Sequence, residues 1–108
     1  MQERRKYERI NISFPVECFD VENKNFFYTV TKDLSLGGTK IVNDKFLPKD
    51  NFLKVNLNLI DKILTLNAKV VWCNKLKFSD KYFVGLNFTD IEETSKQSLL
   101  NFISAINN

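Results

Sequence analysis

Histidine is missing from this sequence altogether. Its absence removes every His-based catalytic triad and the commonest metal ligand. Cysteine occurs twice, at Cys18 and Cys73, with no Cys-x-x-Cys spacing, so zinc sites built from Cys and His are excluded too. The two thiols read as reduced and buried or half-buried. No P-loop is present, and no nucleophile and base stand at a recognisable spacing, so an enzyme is the least favoured class. No apolar run approaches the about 18 residues that span a bilayer. Charge begins at Glu3, two residues after Met1, in place of a signal-peptide pattern, and the expected location is the cytoplasm.

With 108 residues, 44% apolar and 27% charged, the chain has the make-up of one globular domain with a real core. Ten Phe stand out, and Phe suits strands and small packed cores. The net charge of +3 is too small to argue for polyanion binding by itself.

Two clusters break the ordinary pattern. The first is the leader Glu3-Arg4-Arg5-Lys6-Tyr7-Glu8-Arg9, in which residues 1–9 have almost nothing to bury and read as a mobile basic arm. A solvated charged tail is the usual meaning of such a run. Three of its four cations are Arg, however, whose planar fork suits phosphate oxygens and the O6/N7 edge of guanine and stacks on purine rings. The second cluster is Asp33-Leu34-Ser35-Leu36-Gly37-Gly38, holding two of the three glycines. Asp33 and Ser35 point the same way in an extended segment. A Gly-Gly pair permits positive φ and close approach of another group to the backbone. A turn with Asp33 and Ser35 bonding their own backbone would explain the second cluster equally well.

Between and beyond these clusters the pattern is that of a β protein. Ile10, Ile12, Phe14, Val16 and Cys18 alternate onto one face, with Pro15 on the other. Residues 26–31 form a hairpin partner after a turn at 22–25, and residues 39–42 make a short strand. Leu53, Val55, Leu57 and Leu59 then face one way, and after a turn at Asp61-Lys62 so do Leu64, Leu66, Ala68, Val70 and Trp72. Residues 82–88 give a last strand, in which Gly85 points to a bend or a close neighbour. From Asp90 the period becomes helical. Asp90 is expected to cap a helix, with Glu93 reaching back and Leu99, Phe102 or Ile103, and Ile106 on the buried face. Six strands followed by one amphipathic helix predict a mainly β fold, a small six-stranded antiparallel β-barrel closed off by a C-terminal helix.

Arg5-x-x-x-Arg9 before the first strand and Asp33-x-Ser35-x-x-Gly38 after the second together resemble the paired signature of PilZ domains. Pro15-Val16, Val70-Val71-Trp72 and Val84-Gly85-Leu86-Asn87-Phe88 fit the same family, and the resemblance covers the chain from Arg4 to about Ile106. It implies a PilZ-type barrel over residues 10–108 behind a 1–9 arm, and a bacterial receptor for cyclic di-GMP rather than an enzyme, with no cofactor and no metal. In that reading Arg5 and Arg9 donate to phosphate and to the guanine O6/N7 edge. Asp33 accepts from guanine N1–H and N2–H, and Ser35 bonds guanine or phosphate. Gly37 and Gly38 let a base approach the backbone. Arg4, directly before the first motif, accompanies a stacked, intercalated ligand dimer in the family. A downstream protein effector is the expected partner, without DNA or RNA and without membrane insertion. The alternatives are a PilZ-fold adaptor that binds protein and no nucleotide, and a single-strand nucleic-acid-binding barrel with aromatic platforms.

Overall fold

A computed structural model describes residues 9–60 and 62–107 of the chain. Seven strands and one helix follow in order: β1 (Arg9–Ile10), β2 (Pro15–Asp20), β3 (Asn25–Ser35), β4 (Gly38–Asn43), β5 (Phe52–Leu59), β6 (Lys62–Lys75), β7 (Tyr82–Thr89) and α1 (Glu93–Asn107). All pairings are antiparallel, in the order β1-β3-β2-β5-β6-β7-β4. A further β3–β4 pairing brings the ends together, so six strands close into a barrel and β1 is an extra strip on β3. No described helix is long and apolar enough to cross a membrane.

The expected six-stranded barrel with a C-terminal helix is therefore present, with four differences that matter for the site. First, the alternation from Ile10 to Cys18 is not one strand. Residues 11–14 leave the ladder, and the buried Thr31 hydroxyl fills the gap, donating to the Ile12 carbonyl at 2.7 Å and accepting from Phe14 N–H at 3.2 Å. Second, β3 runs four residues further than its dense aromatic stretch suggests, carrying Asp33, Leu34 and Ser35 into the sheet.

Third, Trp72 does not share the core face of β6. The register shifts between Val70 and Trp72, so Val70 pairs with Leu86 while Trp72 pairs with Gly85. The extra residue, Val71, is a bulge, and it turns Trp72 outward. A Cβ on Gly85 would lie 2.3 Å from the indole ring, which explains the glycine in mid-strand. Fourth, Asp90 is not the helix cap. It takes a left-handed backbone (φ 52°), and α1 starts at Glu93, with Lys96 N–H donating to the Glu92 carbonyl at 2.8 Å.

The core is aliphatic. Val16, Leu34, Ile41, Leu53, Val55, Leu57, Leu59, Val70 and Val84 fill the barrel, and Leu99 and Ile103 of α1 press onto it. None of the ten Phe is fully buried, against expectation. A barrel this narrow is filled by Leu, Ile and Val, which leaves the larger rings at its ends and outer face. Phe14 and Phe102, for example, meet edge to face at 5.9 Å between β2 and the helix.

Candidate functional site

The site is assembled by a second bulge. Thr31 pairs with Ile41 and Asp33 with Lys40, so Lys32 is the extra residue on β3. Without it, alternation would send Asp33 into the barrel beside Thr31 and Leu34 out. With it, Leu34 is fully buried and Asp33 and Ser35 share the outer face. β1 then pairs Arg9 with Ser35 and Ile10 with Leu34, so Arg9 stands outward beside Ser35 while Ile10 goes into the core. Arg9, read from sequence as the last residue of the arm, is thus the first residue of the sheet among the described residues.

Asp33 is held on both oxygens. Arg9 Nη1 donates to Oδ2 at 2.8 Å, and the backbone N–H of Lys40 donates to Oδ1 at 2.9 Å. The carboxylate is only 7% exposed and the Arg9 side chain 32%, so the guanidinium caps the acid and faces solvent. A guanidinium carries five N–H donors, and this bond uses one of them. Ser35 Oγ accepts from Gly37 N–H at 3.1 Å and Gly38 N–H at 3.2 Å, which fixes the turn between β3 and β4. Neither glycine has positive φ, so the freedom expected of the pair is not what the turn uses. Gly38 is required by close approach instead: a Cβ there would lie 1.9 Å from the Leu86 carbonyl oxygen of β7. Phe88 N–H donates to the Gly37 carbonyl at 2.9 Å and ties the same turn to β7.

Cross-strand register extends this face. Asp33, Lys40, Gly85 and Trp72 form one row over β3, β4, β7 and β6, and Gly38, Asn87 and Lys69 form the next. Neighbouring members of a row are about 4.8 Å apart. Lys40 Nζ lies 4.8 Å from the Phe83 ring centroid, a cation–π contact that keeps its charge on the row. The face therefore offers a capped carboxylate, two or three cations and the indole of Trp72, itself 39% exposed. That combination suits a planar, anionic ligand with hydrogen-bonding edges.

Arg9, Asp33, Ser35, Gly37 and Gly38 are thus brought together. Arg4 and Arg5, with the rest of residues 1–8, lie outside the described residues. Trp72 is the residue sequence reasoning missed. Its signal was present in Val70-Val71-Trp72, where three apolar residues in a row break the alternation of β6, opposite a glycine. Among the described residues no group of three or more Cys, Asp or Glu is placed to hold a metal ion.

The PilZ domain model matches residues 3–105. Comparison with curated proteins gives no match. Among solved structures, the fold is similar to that of Bacillus subtilis MotI/DgrA, an inhibitor of motility. There the TM-score is 0.80 at 20% identity, covering 94% of this chain and 50% of that one. The PilZ domain of Escherichia coli YcgR, solved with cyclic di-GMP, superimposes with a TM-score of 0.74 at 16% identity, covering 95% of this chain and 91% of that one. The cyclic di-GMP complex of Klebsiella pneumoniae MrkH gives 0.79 at 16% identity, covering 97% and 53%. The chain therefore spans about half of MotI/DgrA and of MrkH and nearly all of the isolated YcgR domain.

Proposed function

The chain belongs to the PilZ domain family, and from that premise we propose that it is a cyclic di-GMP receptor binding its ligand on the outer face around Arg9 and Asp33. The observation that carries this reading is the 2.8 Å contact between those two residues, which joins the end of the Arg-x-x-x-Arg segment to the start of the Asp-x-Ser segment on the outer face of the barrel. Structures similar in fold were solved with cyclic di-GMP, which supports the same ligand class here.

In this proposal Arg9 uses the donors that Asp33 leaves free for phosphate or the guanine O6/N7 edge. Asp33 offers its remaining lone pairs to guanine N1–H and N2–H. Ser35 and the Gly37-Gly38 turn present a surface without side chains on which a base can lie. Arg5 adds a second fork and Arg4 favours a stacked ligand dimer. Trp72 provides a platform for a base across the row, since aromatic stacking is worth about 1–3 kcal/mol per base. None of these roles is chemical conversion; the site binds and does not catalyse.

The signal is the position of the arm. Ordering about six residues costs roughly 6–12 kcal/mol at 1–2 kcal/mol each, so the ligand must contribute at least two charge-assisted forks and stacking to draw the arm over the barrel. The effector that reads this change is a protein. Calorimetric titration of cyclic di-GMP into the protein and into Arg9→Ala tests the reading: binding by the first and nearly none by the second is expected. A PilZ-fold adaptor binding protein alone is the second reading, favoured by the exposed aromatic rings on β3, and an absence of heat in both titrations would select it.

A further inference from the structure

Strand β3 is paired unequally along its two edges. Residues Asn25–Val30 pair with β2 on one side, whereas the β3–β4 ladder begins only at Thr31, opposite Ile41. Beyond that point the backbone ladder stops, the Thr29 hydroxyl still donates to the Val42 carbonyl of β4, and among the described residues no strand covers the second edge of Asn25–Tyr28. Thr31 N–H donates to the Phe14 carbonyl on the β2 side, so alternation turns the backbone groups of Phe26 and Tyr28 towards the open edge.

Two depressions lie end to end along it. One, about 370 Å³, lies between Asn25, Phe26 and Phe27 of β3 and Asn43–Leu47; the other, about 270 Å³, lies between Tyr28–Val30 and Val42–Asp44 with Lys81. Four residues of extended chain span about 13 Å, the length of the open stretch Asn25–Tyr28. Apolar side chains stand on both flanks, among polar ones from Asn43, Asp44 and Lys45. Phe26 (63% exposed), Tyr28 (78%) and Val30 line the outside, while Phe46 and the buried Leu47 line the groove. Asn25–Val30 contains no charge and no proline, the devices by which proteins usually protect an edge. Cations stand at both ends instead: exposed Lys24 before the stretch and exposed Lys32 after it, with Lys45 in the groove wall. Three of the nearby acids are engaged: Asp20 accepts from the Glu22 and Asn23 N–H groups, Asp44 is paired with Lys81, and Glu17 accepts from Asn56, while Glu22 is exposed.

We propose that the open edge of β3 is a docking site for an extended segment of a partner protein, apolar in alternation and acidic at its ends, which adds to the barrel as a further strand. Backbone hydrogen bonds to Phe26 and Tyr28 supply affinity, the aromatic rings select alternating apolar side chains, and Lys24 and Lys32 fix the acidic ends. Lys32 is also the bulge residue that turns Asp33 outward, so dock and ligand face are consecutive stretches of one strand. The dock stands on its own geometry and does not depend on which ligand the outer face takes.

The test uses a synthetic peptide of about ten residues, alternating Val and Thr with Glu at both ends, against the same peptide with Lys ends and against one with a central Pro. Binding of the Glu-ended peptide alone is expected, with amide shifts centred on Phe26 and Tyr28. Tyr28→Lys, on an exposed side chain, should weaken it at least about tenfold, and Lys24→Glu with Lys32→Glu should reverse the preference in favour of the Lys-ended peptide. Cyclic di-GMP titration of Tyr28→Lys and of Lys24→Glu alone should match the parent, since neither residue lies on the Arg9–Asp33 face. Equal binding of all three peptides, or shifts away from β3, overturns the proposal. So does a concentration-dependent dimer abolished by Tyr28→Lys, which would assign the edge to a second copy of the chain.

Discussion

Arg9 Nη1 lies 2.8 Å from Asp33 Oδ2, joining residues 24 positions apart in sequence across the β1–β3 pairing. Asp33 therefore holds the arginine in place before any ligand arrives. A fork fixed by a nearly buried carboxylate has less side-chain entropy to lose on binding than a free one.

Replacing Arg9 with Lys keeps the charge and removes the fork. Affinity for cyclic di-GMP should fall about 10- to 100-fold, and calorimetry is the direct measure. The same variant leaves a nearly buried carboxylate poorly partnered, so the denaturation midpoint should drop by an amount equivalent to about 1–3 kcal/mol. Parent-like affinity in this variant would place the ligand elsewhere.

Gly38→Ala should be costly for a reason unrelated to ligand. The added methyl would meet the Leu86 carbonyl at 1.9 Å, and backbone on a neighbouring strand cannot rotate away. A loss of about 1–3 kcal/mol in urea unfolding is expected, with the β4–β7 seam first to lose amide protection. An unchanged midpoint would show that the strands are further apart than described.

Trp72 is the single tryptophan, so its fluorescence reports one position. Because it shares a cross-strand row with Lys40 and Asp33, ligand on the outer face should change its emission in a saturable way. Trp72→Phe, which keeps a ring over Gly85, should weaken binding by less than Trp72→Ala. Emission indifferent to saturating ligand would remove Trp72 from the site.

Burial, with Glu17 beside it, pushes the Cys18 thiol from 9.0 up to about 12. The folded value is the raised one. The stabilisation from the protonated thiol is therefore fully present below 9.0 and is lost as pH climbs from there through about 12. At pH about 8 a thiol reagent should leave Cys18 unmodified until denaturant is added. Labelling of Cys18 in the native protein at the unfolded rate would contradict its burial.

Much of this architecture was legible in the order of residues, and the exceptions have a common cause. The β5–β6 hairpin was readable because Leu53–Leu59 and Leu64–Val70 each alternate, with polar residues in the places between. Asp33 and Ser35 were readable as a pair because a spacing of two puts side chains on one face. The bulges at Lys32 and Val71 were not read, since one inserted residue leaves little mark on composition. Yet each decides a face: the first turns Asp33 outward, the second Trp72. The Phe residues misled because ring size, rather than hydrophobicity, excludes them from a narrow barrel. Asp90 looked like a cap by type, but its left-handed backbone turns the chain three residues before the helix begins.

Titration of the protein with cyclic di-GMP, followed by calorimetry and repeated with the adenine analogue, bears most directly on the role assigned to Arg9 and Asp33. Saturable binding of the guanine ligand is expected, weakening with salt because cations read the phosphates, with the adenine analogue at least about tenfold poorer. Equal affinity for both dinucleotides, or none for either, would contradict it.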